Sequence, residues 1–155
     1  MVAEFDFITA KDKPALLAVT NPEWLEAAKS ALNEMGYKVH VANNHDEFRT
    51  NFNQIQFQMV VLEELFAANI PEENRSLLAL QSMPMAQRRH AVVVLVGDSY
   101  VTFNLMQALQ LSAHAVLNRS EMFLLIQLLQ KIVADNDLFY SAYRSAQNRI
   151  HDTGE

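Results

Sequence analysis

Short apolar runs alternate with amphipathic stretches along most of the chain. Leu16 to Val19 is a run of strand type. Asn21-Pro22-Glu23-Trp24 then opens a helix, with asparagine suited to the N-cap, proline to the first helical position and glutamate to the positive end of the dipole. Leu25, Ala28, Leu32 and Met35 give that helix one apolar stripe, and Gly36 suits its left-handed C-cap. Tyr37, Val39 and Val41 alternate with Lys38 and His40, the pattern of a half-exposed strand. A short helix is expected across His45 to Phe52, and Met59 to Leu62 reads as a buried strand. Ile70-Pro71-Glu72-Glu73 starts a helix carrying Leu77, Leu78 and Leu80, which Pro84 closes. Ala91 to Val96 is the strongest strand signal, followed by a turn at Gly97-Asp98-Ser99. Phe103, Met106 and Leu109 mark another helix, and Ala115 to Leu117 a short strand.

The last third is dominated by helix. Ser120-Glu121 is expected to cap a long apolar helix reaching Val133. A turn at Ala134-Asp135-Asn136 and a cap at Asp137 would separate it from a final helix. There Leu138, Phe139, Ala142, Tyr143, Ala146 and Ile150 recur at helical spacing. The pattern divides the chain into a lead-in over 1–13, one domain over 14–135, and a C-terminal helix and tail over 136–155. Strand and helix follow one another five times. Apolar strands separated by amphipathic helices predict an α/β domain, a parallel sheet with helices on both faces.

Composition narrows the function classes. The 155 residues suffice for one domain with a sizeable core, and half of them are hydrophobic. There is no cysteine, which excludes disulfides, thiolate zinc sites and cysteine nucleophiles. The net charge of −6 opposes general nucleic-acid binding. Arg88-Arg89-His90 is too short a basic cluster to change that expectation. The opening Met-Val-Ala-Glu-Phe-Asp has neither a basic start nor an apolar core of signal-peptide type, and no apolar run is long enough for a bilayer. A cytoplasmic location without membrane contact is the expectation. The five histidines show no metal-ligand spacing: His40 and His114 fall near strands, His45 and His151 near segments expected to be exposed. Ser99, Thr102 and Ser120 have no histidine and acid arranged about them, and three glycines supply no phosphate loop. No cofactor is expected.

Several phrases then point to a family. Leu16 to Glu23, Phe57 to Glu63, Ala91 to Gly97 and Ser112 to Ser120 are similar, in order and spacing, to segments of the receiver domains of response regulators. The likeness covers about 14–134 and implies the flavodoxin-like order of a five-stranded doubly wound sheet, to which the C-terminal helix is an addition. Receivers carry an acid pair and an aspartate around magnesium, with a hydroxyl and a lysine for the phosphoryl oxygens and an aromatic switch. In this chain the acid pair aligns with Thr20 and Asn21, and the phosphoacceptor with Glu63. A slip of one residue would put Glu64 there instead. Val96 stands for the hydroxyl, Arg119 for the lysine, Ser120 for its proline neighbour and Val116 for the aromatic. The resemblance therefore implies a degenerate phosphorylation pocket, with neither the metal nor the nucleophile of its relatives.

That leaves a non-catalytic pseudo-receiver, which signals through protein–protein contact without phosphorylation, as the expected function. The alternative is a small-ligand or anion sensor that reuses the vacated pocket between Asn21, Glu63 and Arg119. An unrelated enzyme has no motif behind it. Glu63 has two readings: a mimic of the phosphorylated state paired with Arg119, or a solvated carboxylate at a strand end. The second is the expectation, because Val96 and Val116 leave no switch to hold. Beside the stripe of Met122, Leu125, Ile126, Leu129 and Val133, the long helix carries a second one of Leu124, Leu128 and Ile132. Together with Phe103, Leu111, Phe139 and Tyr143 this second stripe is the expected contact surface for a protein partner or a homodimer, which the resemblance to receivers places on the fourth helix, fifth strand and fifth helix, with the C-terminal helix added. The competing reading folds the final helix back over it.

Overall fold

The computed structural model describes residues 13–84 and 90–153, without the side chains of 139–144 and 147–153. Five parallel strands run in the order β2-β1-β3-β4-β5, the flavodoxin-like order. They are β1 (Lys13–Ala18), β2 (Tyr37–Val41), β3 (Met59–Glu63), β4 (Val92–Gly97) and β5 (Ala115–Asn118). The helices are α1 (Pro22–Glu34), α2 (His45–Gln54), α3 (Arg75–Ser82), α4 (Leu105–Gln110) and α5 (Leu125–Thr153). Short 3-10 turns at Pro71–Glu73 and Arg119–Leu124 precede α3 and α5.

Burial follows from the parallel sheet, whose central strands are covered on both faces. Every residue of β3 and β4 is buried. One face packs Leu17, Val61, Val94 and Leu117 against α1 and α5, through Ala28, Leu32, Leu125 and Leu129. The other packs Leu16, Val60, Val93 and Val116 against Phe48, Leu77, Leu80 and Ala108. Asn21 caps α1 as expected, accepting from the amides of Glu23 (2.9 Å) and Trp24 (3.2 Å). Gly36 takes a positive φ of 90° just after that helix, where a side chain would be strained.

The structure corrects several expectations. β2 does not alternate in and out, because His40 is 4% exposed and sits edge-on to Phe57 on the second face. The helix expected from Ile70 begins only at Arg75, and Asn74 caps it. Phe103 lies before α4, at a φ of 63°, and packs on the core. Leu111 likewise packs inward, on the opposite face.

The largest correction concerns the C-terminus. No turn forms at Ala134-Asp135-Asn136, and Asp137 caps nothing, because α5 runs unbroken for 29 residues. The segment holds no glycine or proline, and Lys131 bridges to Asp135 one turn on, at 3.0 Å. Asn118 rather than Ser120 caps the 3-10 turn that leads into α5, and the Asn118 side chain accepts from the Ser120 amide at 2.9 Å. The second stripe is only in part a surface. Ile132 is buried in the core and Leu128 packs against it, while Leu124 is half-buried. A fold-back of the final helix is ruled out by the unbroken α5. The side chains of Phe139 and Tyr143 lie outside the described residues, as do Arg88 and Arg89.

Candidate functional site

The C-terminal ends of the strands carry Thr20, Asn21, Glu63 and Arg119; Thr20 and Glu63 bond each other, while Asn21 and Arg119 are engaged elsewhere. Glu63 is not a solvated carboxylate: it is 8% exposed, and its Oε1 accepts from the Thr20 backbone amide at 2.6 Å. The Thr20 hydroxyl in turn accepts from the Ala67 amide at 2.9 Å. Asn21 spends its side-chain oxygen on the α1 cap. Arg119 does not reach Glu63. It pairs with Asp98 at 2.7 Å, and its guanidinium lies 5.8 Å from the Trp24 ring centre. Both partners of that ion pair are more than half exposed, so it contributes little stability.

Val96 and Val116 do not face this edge together. Val96 is buried on the first face of the sheet and Val116 on the second. Of the residues aligned with the acid pair and the phosphoacceptor only Glu63 carries a carboxylate, and one of its two oxygens accepts from a backbone amide. A cavity of about 450 Å³ lies at the opposite end of the strands, beside Phe52, Ile55, Phe57 and His90.

Glu64, the alternative phosphoacceptor position, and several residues that the sequence reading gave no role also hold this edge together. Glu64 is 7% exposed, and its Oε1 accepts from the Ser99 amide at 3.2 Å. Burial first, and the Glu64 charge second, push the Tyr100 phenol well above its ordinary value. Asn74 is fully buried and donates to the carbonyls of both Glu63 and Glu64 at 3.0 Å. Asn118 donates to the Tyr100 carbonyl at 2.7 Å. An asparagine just before a helix was readable as a cap for Asn74; its two donated bonds across the chain were not.

His45 is buried rather than exposed, at 8%. The Ser76 amide donates to Nδ1 at 3.2 Å, so Nε2 carries the proton and faces the Ala67 carbonyl at 3.3 Å. The ring meets Phe66 edge-on at 5.2 Å. Desolvation lowers its pKa below the ordinary 6.5, opposed by the Ala67 carbonyl and the Asp46 charge, and aided by Arg75. The folded state thus prefers neutral His45, and its contribution is fully present above about pH 6.5. It is lost as the pH falls through the depressed folded value. Urea midpoints measured from pH 7.5 to 5 should therefore fall more steeply for the wild type than for His45→Gln. At neutral pH that variant should be less stable by about 1–2 kcal/mol. Parallel pH curves would remove His45 as the cause.

Beyond these buried groups lies an exposed one. Val101 is 62% exposed, Leu105 81%, Met106 63% and Leu109 76%, all on α4 or the loop entering it. From Ser99 to Asn118 the sequence has no Asp, Glu, Lys or Arg. Phe123 and Leu138 are also exposed, at 80% and 76%. Among the described residues no helix is long and apolar enough to cross a membrane.

No family profile matches the sequence, and no curated protein matches it. Solved structures do. A response regulator from Thermotoga maritima is similar with a TM-score of 0.61 at 18% identity, over 79% of this chain and 98% of that one. A response regulator receiver domain protein (CheY-like) from Methanospirillum hungatei JF-1 gives 0.61 at 16% identity, over 82% and 98%. A signal receiver domain of a two-component histidine kinase from Clostridium thermocellum gives 0.61 at 15% identity, over 78% and 97%. Described from its own residues and set beside these structures, the chain has the receiver fold, extended at its C-terminus by the second half of α5.

Proposed function

We propose that this chain is a pseudo-receiver: a signalling module without catalysis, which works by protein contact and needs no phosphorylation. The receiver fold supports the signalling class. The observation that carries the reading is the uncharged apolar face of α4, formed by Leu105, Met106 and Leu109 with Val101. Large exposed apolar side chains grouped on one element mark contact surfaces. The occupant proposed is a second copy of the chain. Each copy carries a net charge of −6, so like-charge repulsion opposes association almost everywhere. The stretch from Ser99 to Asn118 escapes it, and a two-fold contact requires a surface that tolerates its own image.

Independence from phosphorylation rests on Glu63, which stands where relatives carry an aspartate and whose Oε1 accepts from the Thr20 amide, and on the missing acid pair. Sedimentation equilibrium tests both parts. The wild type should associate equally with and without acetyl phosphate and magnesium, and its intact mass should stay unchanged. Leu109→Glu should weaken association by about tenfold or more, by placing a charge in the apolar contact. A gain of one phosphoryl group, or association that Leu109→Glu leaves intact, would overturn the respective half.

A further inference from the structure

The exposed face of α4 is tied to the end of β3 by a continuous path of hydrogen bonds. Glu64 Oε1 accepts from the Ser99 amide at 3.2 Å. The Ser99 carbonyl accepts from Gln107 Nε2 at 3.0 Å, and Gln107 Oε1 accepts from the Val101 amide at 2.7 Å. Gln107 belongs to α4 and lies between Met106 and Leu109 in sequence. A side chain on the helix therefore grips the loop on both sides of Tyr100, and a carboxylate just after β3 grips the same loop at Ser99.

Three further features show how closely this path is built. The Glu64 side chain lies directly over Gly97, where an added Cβ would come within 2.6 Å of Glu64 Cβ. Only glycine leaves room for the carboxylate at that point. Phe103 holds a φ of 63°, a conformation that a bulky residue keeps only when its surroundings impose it. Its amide donates to the Val116 carbonyl at 2.9 Å. The loop is thus strained at one end and anchored by Glu64 near the other.

We infer that Glu64 is a positioning residue that fixes the apolar face of α4 through Ser99 and Gln107. The β3 end sets where the helix sits, with a carboxylate built into the chain and no added group. The inference deepens the docking reading, since it concerns the same face, but its test needs no second copy. Asn118 of β5 also holds this loop, donating to the Tyr100 carbonyl, so the contribution of Glu64 is a separable question.

Amide hydrogen exchange resolved by residue answers it. Val101 keeps its own acceptor, Gln107, when Glu64 is changed. In Glu64→Ala its amide should nevertheless exchange about tenfold faster, the order expected when a hydrogen bond to a charged group is lost. Coupling is reciprocal, so Gln107→Ala should speed exchange of the Ser99 amide, whose acceptor is untouched. Glu64→Gln retains an acceptor oxygen and should leave Val101 near the wild-type rate. The amides of Val94 and Leu95 in β4 report whether each variant is folded. If Glu64→Ala unfolds, the Gln107→Ala arm decides. Unchanged exchange at Val101 in folded Glu64→Ala, or at Ser99 in Gln107→Ala, overturns the inference. A chain that stays monomeric defeats the docking reading alone.

Discussion

Replacing Asn74 with alanine should destabilise the domain by about 3 kcal/mol, combining a lost cap with buried groups left without partners. Asn74 is fully buried and works in two directions. Its Oδ1 accepts from the Leu77 amide at 3.1 Å, closing the first turn of α3. Its Nδ2 donates to the carbonyls of Glu63, the last residue of β3, and of Glu64 just after it. Asn74→Asp separates the two roles. The carboxylate can still cap α3, but its second oxygen meets two carbonyls with no proton to offer. The aspartate variant should therefore be no more stable than the alanine variant at pH 7. Urea unfolding with an unchanged slope is the measurement. Full stability in Asn74→Asp would mean that the donated bonds contribute nothing.

Gly97→Ala should cost about 2 kcal/mol, the usual scale of overpacking in a rigid interior. The new methyl would meet Glu64 Cβ within 2.6 Å and Glu64 Cδ at 3.2 Å. Neither side can retreat easily, because Glu63 pairs with Val96 in the sheet and the Glu64 amide donates to the Val96 carbonyl at 2.8 Å. Removing the opposing side chain in Glu64→Gly should return most of the loss, and a double-mutant cycle on thermal or urea stability measures that coupling. Additive losses would show that the strain lies elsewhere.

The fold was legible because its strongest signals are physical necessities of a parallel sheet. Ala91 to Val96 and Met59 to Leu62 are apolar throughout, as strands covered on both faces must be. The helix at Pro22 was readable from its cap and the glycine that follows it. β2 misled because alternation signals one wet face, whereas Phe57 covers His40 there. The expected turn after Val133 rested on Asp135 and Asn136, residues of modest helix propensity. Without glycine or proline, such weak preferences do not stop a helix already propagating.

The site was less legible, since its contacts join positions far apart in sequence. Alignment placed Glu63 and Arg119 at one pocket, but could not show that Arg119 finds Asp98 nearer, or that Glu63 turns to the Thr20 amide. The second stripe on the long helix was read correctly as apolar. That Ile132 belongs to the core depends on how α1 packs beside α5, which no single helix reveals.

The unbroken α5 gives the domain a lever. At 1.5 Å per residue, its 29 residues extend about 43 Å. Its first turns are seated in the core through Leu125 and Leu129, so the fulcrum is rigid. A tilt of about 10° there would carry Thr153 sideways by about 7 Å. The rod also has a phase. Each residue added beyond Val133 turns everything further out by about 100°, so the bearing of any group carried past the core is set by counting residues. Inserting a whole number of turns would lengthen the arm and nearly preserve that bearing, whereas two extra residues would point it almost the opposite way.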